Sequence, residues 1–162
     1  MRKKGIFWSV IGVHLLFSLV FTLMSNITHP LLALVKTWPL YGQIILACIF
    51  SFVLYIIPGY ILVISLSSNE KLIENVDRIM IAFTLVLIVV FLISFANAMM
   101  LHSRQGWLFY ATFNPVSGLL IYNLFDKLVT WWDLFWVFTA LMPGLGMMLG
   151  MYLRLKKEGS VR

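Results

Sequence analysis

Charge is what this sequence has least of. Only 11% of its 162 residues are Asp, Glu, Lys or Arg, and six of these are acidic, whereas soluble domains carry roughly 25%. A single cysteine, Cys48, sits in an apolar run. That excludes a disulfide within the chain, and a lone Cys in such a setting reads as a small hydrophobe rather than a reactive thiol. The three histidines, His14, His29 and His102, share no metal-ligand spacing, which argues against a zinc site. A Walker loop, a GxGxxG turn after a strand and an HExxH helix are also missing, so the common nucleotide and metalloprotease readings have no support. Segments of about ten alternating residues, which a membrane β-barrel needs, are absent too.

What is present is apolar. Hydrophobic residues make up 62% of the chain, and the mean hydropathy is +0.98. Exposed apolar area on that scale drives association in water. The stretch that settles the class is Arg78–Met100, whose twenty-two residues after Arg78 carry no charge. At ~1.5 Å of rise per residue it crosses a hydrocarbon core of ~30 Å. A helix there satisfies every backbone N–H and C=O within the segment. The expected class is an all-α polytopic integral membrane protein, one membrane domain over 1–162.

Four transmembrane helices are expected, at about 5–24, 41–66, 79–100 and 131–153. The first follows the basic residues Arg2, Lys3 and Lys4. A signal peptide shares that start, but its apolar core is shorter and a small-residue cleavage site should follow. Between the first two spans lie Pro30, Pro39 and the interfacial pair Lys36 and Trp38. Asn26–Thr28 fits a glycosylation triplet, a pattern common by chance. Pro58-Gly59 falls inside the second span and predicts a kink. Ser67 with Glu70 resembles a capping box, and Glu74 stands four residues before Arg78 in the favourable order for an ion pair. The third helix therefore starts near Ser68, in the aqueous phase.

The aromatic segment 101–130 is expected outside the cytoplasm. Asn114-Pro115 reads as a helix start, Asn as cap and Pro at the first helical position. The helix it opens, to Phe125, is too short to span, and is expected to lie in the interface or to be re-entrant. A five-span alternative would run 107–125 straight across. Thr130 and Asp133 have cap spacing at the start of the last span, and Pro143-Gly144 interrupts its middle.

Orientation follows from the basic residues. With the N-terminus in the cytoplasm, nine Lys and Arg fall inside (Arg2, Lys3, Lys4, Lys71, Arg78, Arg154, Lys156, Lys157, Arg162) and three outside (Lys36, Arg104, Lys127). That bias fits four spans with both termini cytoplasmic. The same distribution rejects a nucleic-acid partner for the net charge of +6, since the basic residues flank apolar spans and suit anionic lipid headgroups. The location expected is the plasma membrane of a bacterial cell.

Candidate functional residues are few. His14 lies inside the first span, four residues before Ser18, and is a candidate intramembrane proton or ligand site. Asn97 and Ser94 are expected to mark the inward face of the third span and to join helices. Gly146-x-x-x-Gly150 is a candidate packing face within the chain or toward a partner. Met142, Met147, Met148 and Met151 read as core filler rather than copper ligands. His102, Arg104 and Asp126 would form an outer-surface acid–base set only if they converged. No cofactor or metal is expected.

The function these features suggest is a small accessory membrane protein that binds and regulates or stabilises a larger membrane partner. The alternative is an oligomeric transporter or channel subunit, suggested by His14 and by the two Pro-Gly breaks, one in each half. A membrane-embedded enzyme is the third reading, and the weakest.

Overall fold

The computed structural model describes residues 3–25, 29–65, 70–124 and 129–157, and side chains within these except 3–7, 63–65 and 70–76. The Asn26–Thr28 triplet, the Ser67–Glu70 cap, the Glu74–Arg78 pair, Asp126 and Lys127 lie outside what is described. The described residues are mostly helical, with no strand among them: α1 (Lys3–Ser25), α2 (Leu32–Val35), α3 (Leu40–Ser65), α4 (Glu70–Leu101), α5 (Gly106–Phe113), α6 (Pro115–Leu124), a 3₁₀ helix (Trp131–Ala140) and α7 (Met142–Lys157). Four of these stretches are long and apolar enough to cross a membrane: Trp8–Ser25, Leu40–Leu62, Asp77–Leu101 and Trp131–Lys157, the last joining the 3₁₀ helix to α7.

Ring contacts fix how α1 and α3 run. His14 stacks on Tyr55 at 5.5 Å and Phe21 meets Phe50 at 6.4 Å, so as one number rises the other falls and the helices are antiparallel. The pairing of α3 with α7 is built on glycine. A Cβ on Gly146 would meet the Phe52 carbonyl and the Tyr55 side chain, and one on Gly150 would meet the Ile56 carbonyl and the Tyr60 nitrogen. From the other side, Gly59 faces the backbone of Met147. Both numbers rise together, so α3 and α7 are parallel and their backbones touch. This close approach is what small residues permit between apolar helices.

Helix α3 continues through Pro58. Pro143 does not interrupt a helix either. It is the second residue of α7, in the first turn, where the missing N–H has no intrahelical partner to lose. The segment before it is 3₁₀ for ten residues, a long run for that geometry. Its sequence has the matching period of three. Asp133, Trp136 and Thr139 are buried, while Trp132, Phe135 and Phe138 project outward in a stack with centroids 6.1 and 6.4 Å apart.

The segment after α4 folds as a hairpin of two helices. His102 takes a positive φ of 47°, and the Ser103 N–H returns to the Ala98 carbonyl at 3.3 Å, closing α4 with a tight left-handed turn. Helix α5 then runs back along α4: Gly106 sits on the Ala98 backbone, Trp107 packs on Phe91 and Phe95, and Tyr110 packs on Phe91. Gly118 of α6 lies on the backbone of Ala111, so α6 returns antiparallel to α5. A straight five-span path through 107–125 does not fit this arrangement. Pro115, Val116, Ser117, Gly118, Leu120 and Ile121 are buried, so α6 lies among the long helices.

Candidate functional site: the turn of the hairpin

Residues 113–115 join α5 to α6, and polar groups from four parts of the chain converge on them. Pro115 opens α6, as its position predicts. Asn114 carries both helices through its backbone: its N–H bonds the Tyr110 carbonyl and its own carbonyl accepts from Gly118, each at 2.7 Å. Its side chain does not act as a simple cap. The amide nitrogen donates to the Tyr110 hydroxyl at 2.8 Å and reaches the Thr139 carbonyl at 3.4 Å.

The Thr139 carbonyl stands where the 3₁₀ helix gives way to α7, and an α-helical bond from the fourth residue on is not open to it, because that residue is Pro143. The remaining bonds then have only one direction. Tyr110 accepts from Asn114, so its proton goes to Thr139 Oγ1 at 3.1 Å. Thr139 Oγ1 in turn donates to the Trp136 carbonyl at 2.7 Å. The result is a polarised chain from Asn114 through Tyr110 and Thr139 to Trp136, with all four residues buried. Such chains strengthen cooperatively at low dielectric. The chain ties the hairpin turn to the 3₁₀ helix.

Two histidines fasten the other side. His14 Nε2 donates to the Phe113 carbonyl at 2.6 Å, since a carbonyl can only accept. His14 is the middle residue of α1, and its ring also meets Phe83 edge-on at 4.7 Å. The turn therefore lies halfway along the long helices. His29 Nε2 donates to the Val116 carbonyl at 2.6 Å. Its Nδ1 accepts from the Leu31 N–H at 3.1 Å, which fixes the Nε2-protonated tautomer. Burial lowers the His29 pKa from 6.5 to about 4, and the Val116 carbonyl opposes that only partly.

The candidates singled out by sequence separate here. His14 is at the site. Gly146 and Gly150 are spent on α3 of the same chain, and so form an internal packing face. Ser94 is fully buried, but Asn97 is exposed and faces away from the bundle, so the two do not share the inward face that their spacing suggested. Three residues place Asn97 only about 60° round the helix from Ser94, but on the side away from Phe95, just outside the narrow buried stripe through Phe91, Ser94, Phe95 and Ala98. Of the outer-surface set, His102 makes the turn after α4, and Arg104 lies over the Tyr122 ring at 5.0 Å.

Sequence reasoning passed over Tyr110, Thr139 and His29. Thr139 carries a readable signal, because it stands in the period-three series with Asp133 and Trp136 and four residues before Pro143. His29 carries none, as its partner is 87 residues away. Comparison with protein-family models, curated proteins and solved structures gives no match to this chain.

Proposed function

We propose that this chain is a bacterial plasma-membrane protein of four spans with both termini cytoplasmic. In this reading the α5–α6 hairpin is re-entrant from the outer face, and the protein is an accessory subunit that docks a larger membrane protein along α1. The topology rests on the bias of basic residues and on the return path of the hairpin.

Gly12 carries the docking reading. Helical glycine is less stable than alanine by roughly 1 kcal/mol, and elsewhere the chain uses that cost. Gly59, Gly106, Gly118, Gly146 and Gly150 each sit against another backbone. Gly12 alone among the described glycines has nothing within 4 Å of where a Cβ would be. It is flanked on α1 by exposed Trp8, Leu15, Leu16 and Leu19. Apolar exposure is ordinary in lipid, but a small residue in such a face lets a second helix come close.

The test compares Gly12→Leu with Gly146→Leu in tagged protein purified in mild detergent and weighed by native mass analysis. Gly12→Leu should leave the fold intact and remove a stoichiometric second polypeptide, whereas Gly146→Leu should unfold α7 from α3. Retention of the partner by Gly12→Leu would overturn the reading. A transporter or channel subunit is the second reading. It is favoured by the broken hairpin with polar groups at mid-depth, a placement associated with solute paths, and it predicts that His14 variants lose a pH-dependent flux.

A further inference from the structure

Apart from the docking along α1, and resting only on the four-span reading, we propose that Tyr60, Arg154 and Lys157 form a site for the headgroup phosphate of an anionic phospholipid, at the end of the bundle where α3 and α7 finish.

Close packing fixes the frame. The two helices are parallel, and Gly150 stands against the Ile56 carbonyl and the Tyr60 nitrogen. Arg154 follows Gly150 by one helical turn and so meets the Tyr60 side chain. Its guanidinium lies over the Tyr60 ring at 5.1 Å, and Nη1 donates to the hydroxyl at 3.2 Å. Lys157, three residues on, addresses the same hydroxyl with its ammonium. Residues three apart share a helix face, and like charges there repel. The last turn of α7 thus brings two cations to one neutral oxygen, with exposed Lys156 beside them.

The chemistry of that oxygen points outward. Guanidinium and ammonium groups only donate, so the Tyr60 oxygen accepts from both. What it has left to give is its own proton, which needs an acceptor. Water would take the proton and leave the repulsion between the cations. A phosphate oxygen answers both, through the charge-assisted bonds that Arg and Lys make to phosphate. Basic residues at a helix C-terminus also complement the helix dipole, but that effect asks for no shared hydroxyl.

The membrane supplies the occupant. The apolar stretch of α3 runs to Leu62, so Tyr60 lies within a turn of its end, at headgroup depth. Anionic headgroups hold basic residues there, with a gain of roughly fivefold for each cation. A zwitterionic headgroup brings its own cation beside Lys156 and Lys157 and is disfavoured.

The experiment is native mass analysis of the full-length protein released from bilayer nanodiscs of equal parts phosphatidylglycerol and phosphatidylcholine. The wild type should retain phosphatidylglycerol several-fold over phosphatidylcholine, and equal retention would overturn the proposal. Arg154→Gln with Lys157→Gln should abolish the preference, while Lys36→Gln, at the opposite end of α3, should keep it. Tyr60→Phe separates this site from diffuse attraction to charge. It leaves both cations and should still lower the preference roughly fivefold, the worth of one hydrogen bond; a preference equal to the wild type's would refute the site. Excess inorganic phosphate should leave the lipid bound, and displacement would refute the assignment to a lipid. Alkaline carbonate extraction of the same membranes tests the four-span reading separately: a chain that stays with the bilayer but shows no lipid preference sinks the site alone.

Discussion

His14→Leu tests whether the histidine holds the hairpin turn. The substitution removes the Nε2–H donor that meets the Phe113 carbonyl at 2.6 Å. That carbonyl has no helical partner, because the backbone leaves the helix at Asn114. An orphaned buried acceptor costs about 1–3 kcal/mol. For a chain of this size roughly 2–4 °C of melting temperature accompanies each kcal/mol, so a fall of about 2–12 °C is expected. His14→Gln is the control, since a glutamine amide nitrogen reaches nearly the position of the histidine Nε2 and still donates. The assay is thermal unfolding in mild detergent followed by tryptophan fluorescence, with Trp107 and Trp136 buried in the packed core as reporters. Glutamine should restore most of the loss. If leucine and glutamine melt together, the hydrogen bond is not what His14 contributes, and the reasoning fails.

Acid should loosen the segment at His29. Its folded pKa is near 4 against 6.5 unfolded, so between those values the unfolded chain binds more protons, and stability falls as pH drops from 6.5 toward 4. The loss is bounded by about 3 kcal/mol from the size of the shift, and His29→Gln should flatten a melting curve taken against pH in that window. Asn114→Ala leaves the Thr139 carbonyl without a donor and breaks the chain to Tyr110; a loss of about 1–3 kcal/mol is expected in the same unfolding assay. Gly118→Val places a side chain where Ala111 backbone atoms stand 2.5 and 2.6 Å from a Cβ, so the hairpin should open and the 101–130 region become cleavable by added protease. At the far end Arg154 lies over the Tyr60 ring and bonds its hydroxyl at 3.2 Å. Tyr60→Phe should leave the melting temperature essentially unchanged, since the pair is open to solvent and the ring contact survives.

Much of the scaffold can be read from the chain. Four apolar stretches become four long helices because a backbone in apolar surroundings must satisfy itself, and hydropathy reports that directly. Pro115 opens a helix where proline is tolerated, and Thr130 with Asp133 forms the bonds its spacing predicts. What hydropathy cannot report is which face of an apolar helix turns inward. Asn97 and Ser94 were paired by polarity, yet in a helix apolar all round the buried stripe is chosen by packing, here by Ala98 beneath Gly106. The glycines of α7 are equally ambiguous in sequence, since a close partner in the same chain and one in another chain ask for the same residue. The hairpin site depends on contacts 87 and 99 residues apart, and no local pattern encodes those. The 3₁₀ helix was legible in its period of three, and a search confined to periods of 3.6 and 2 passes over it.

Docking along α1 is the claim most open to direct test. A photoreactive benzophenone amino acid placed at Gly12, with a second placed at exposed Val89 of α4 as control, would be irradiated in intact cells. The account predicts one discrete adduct with a larger membrane polypeptide from position 12 and none from position 89. A ladder of lipid adducts alone from position 12, or a crosslink only to a second copy of this chain, would contradict it.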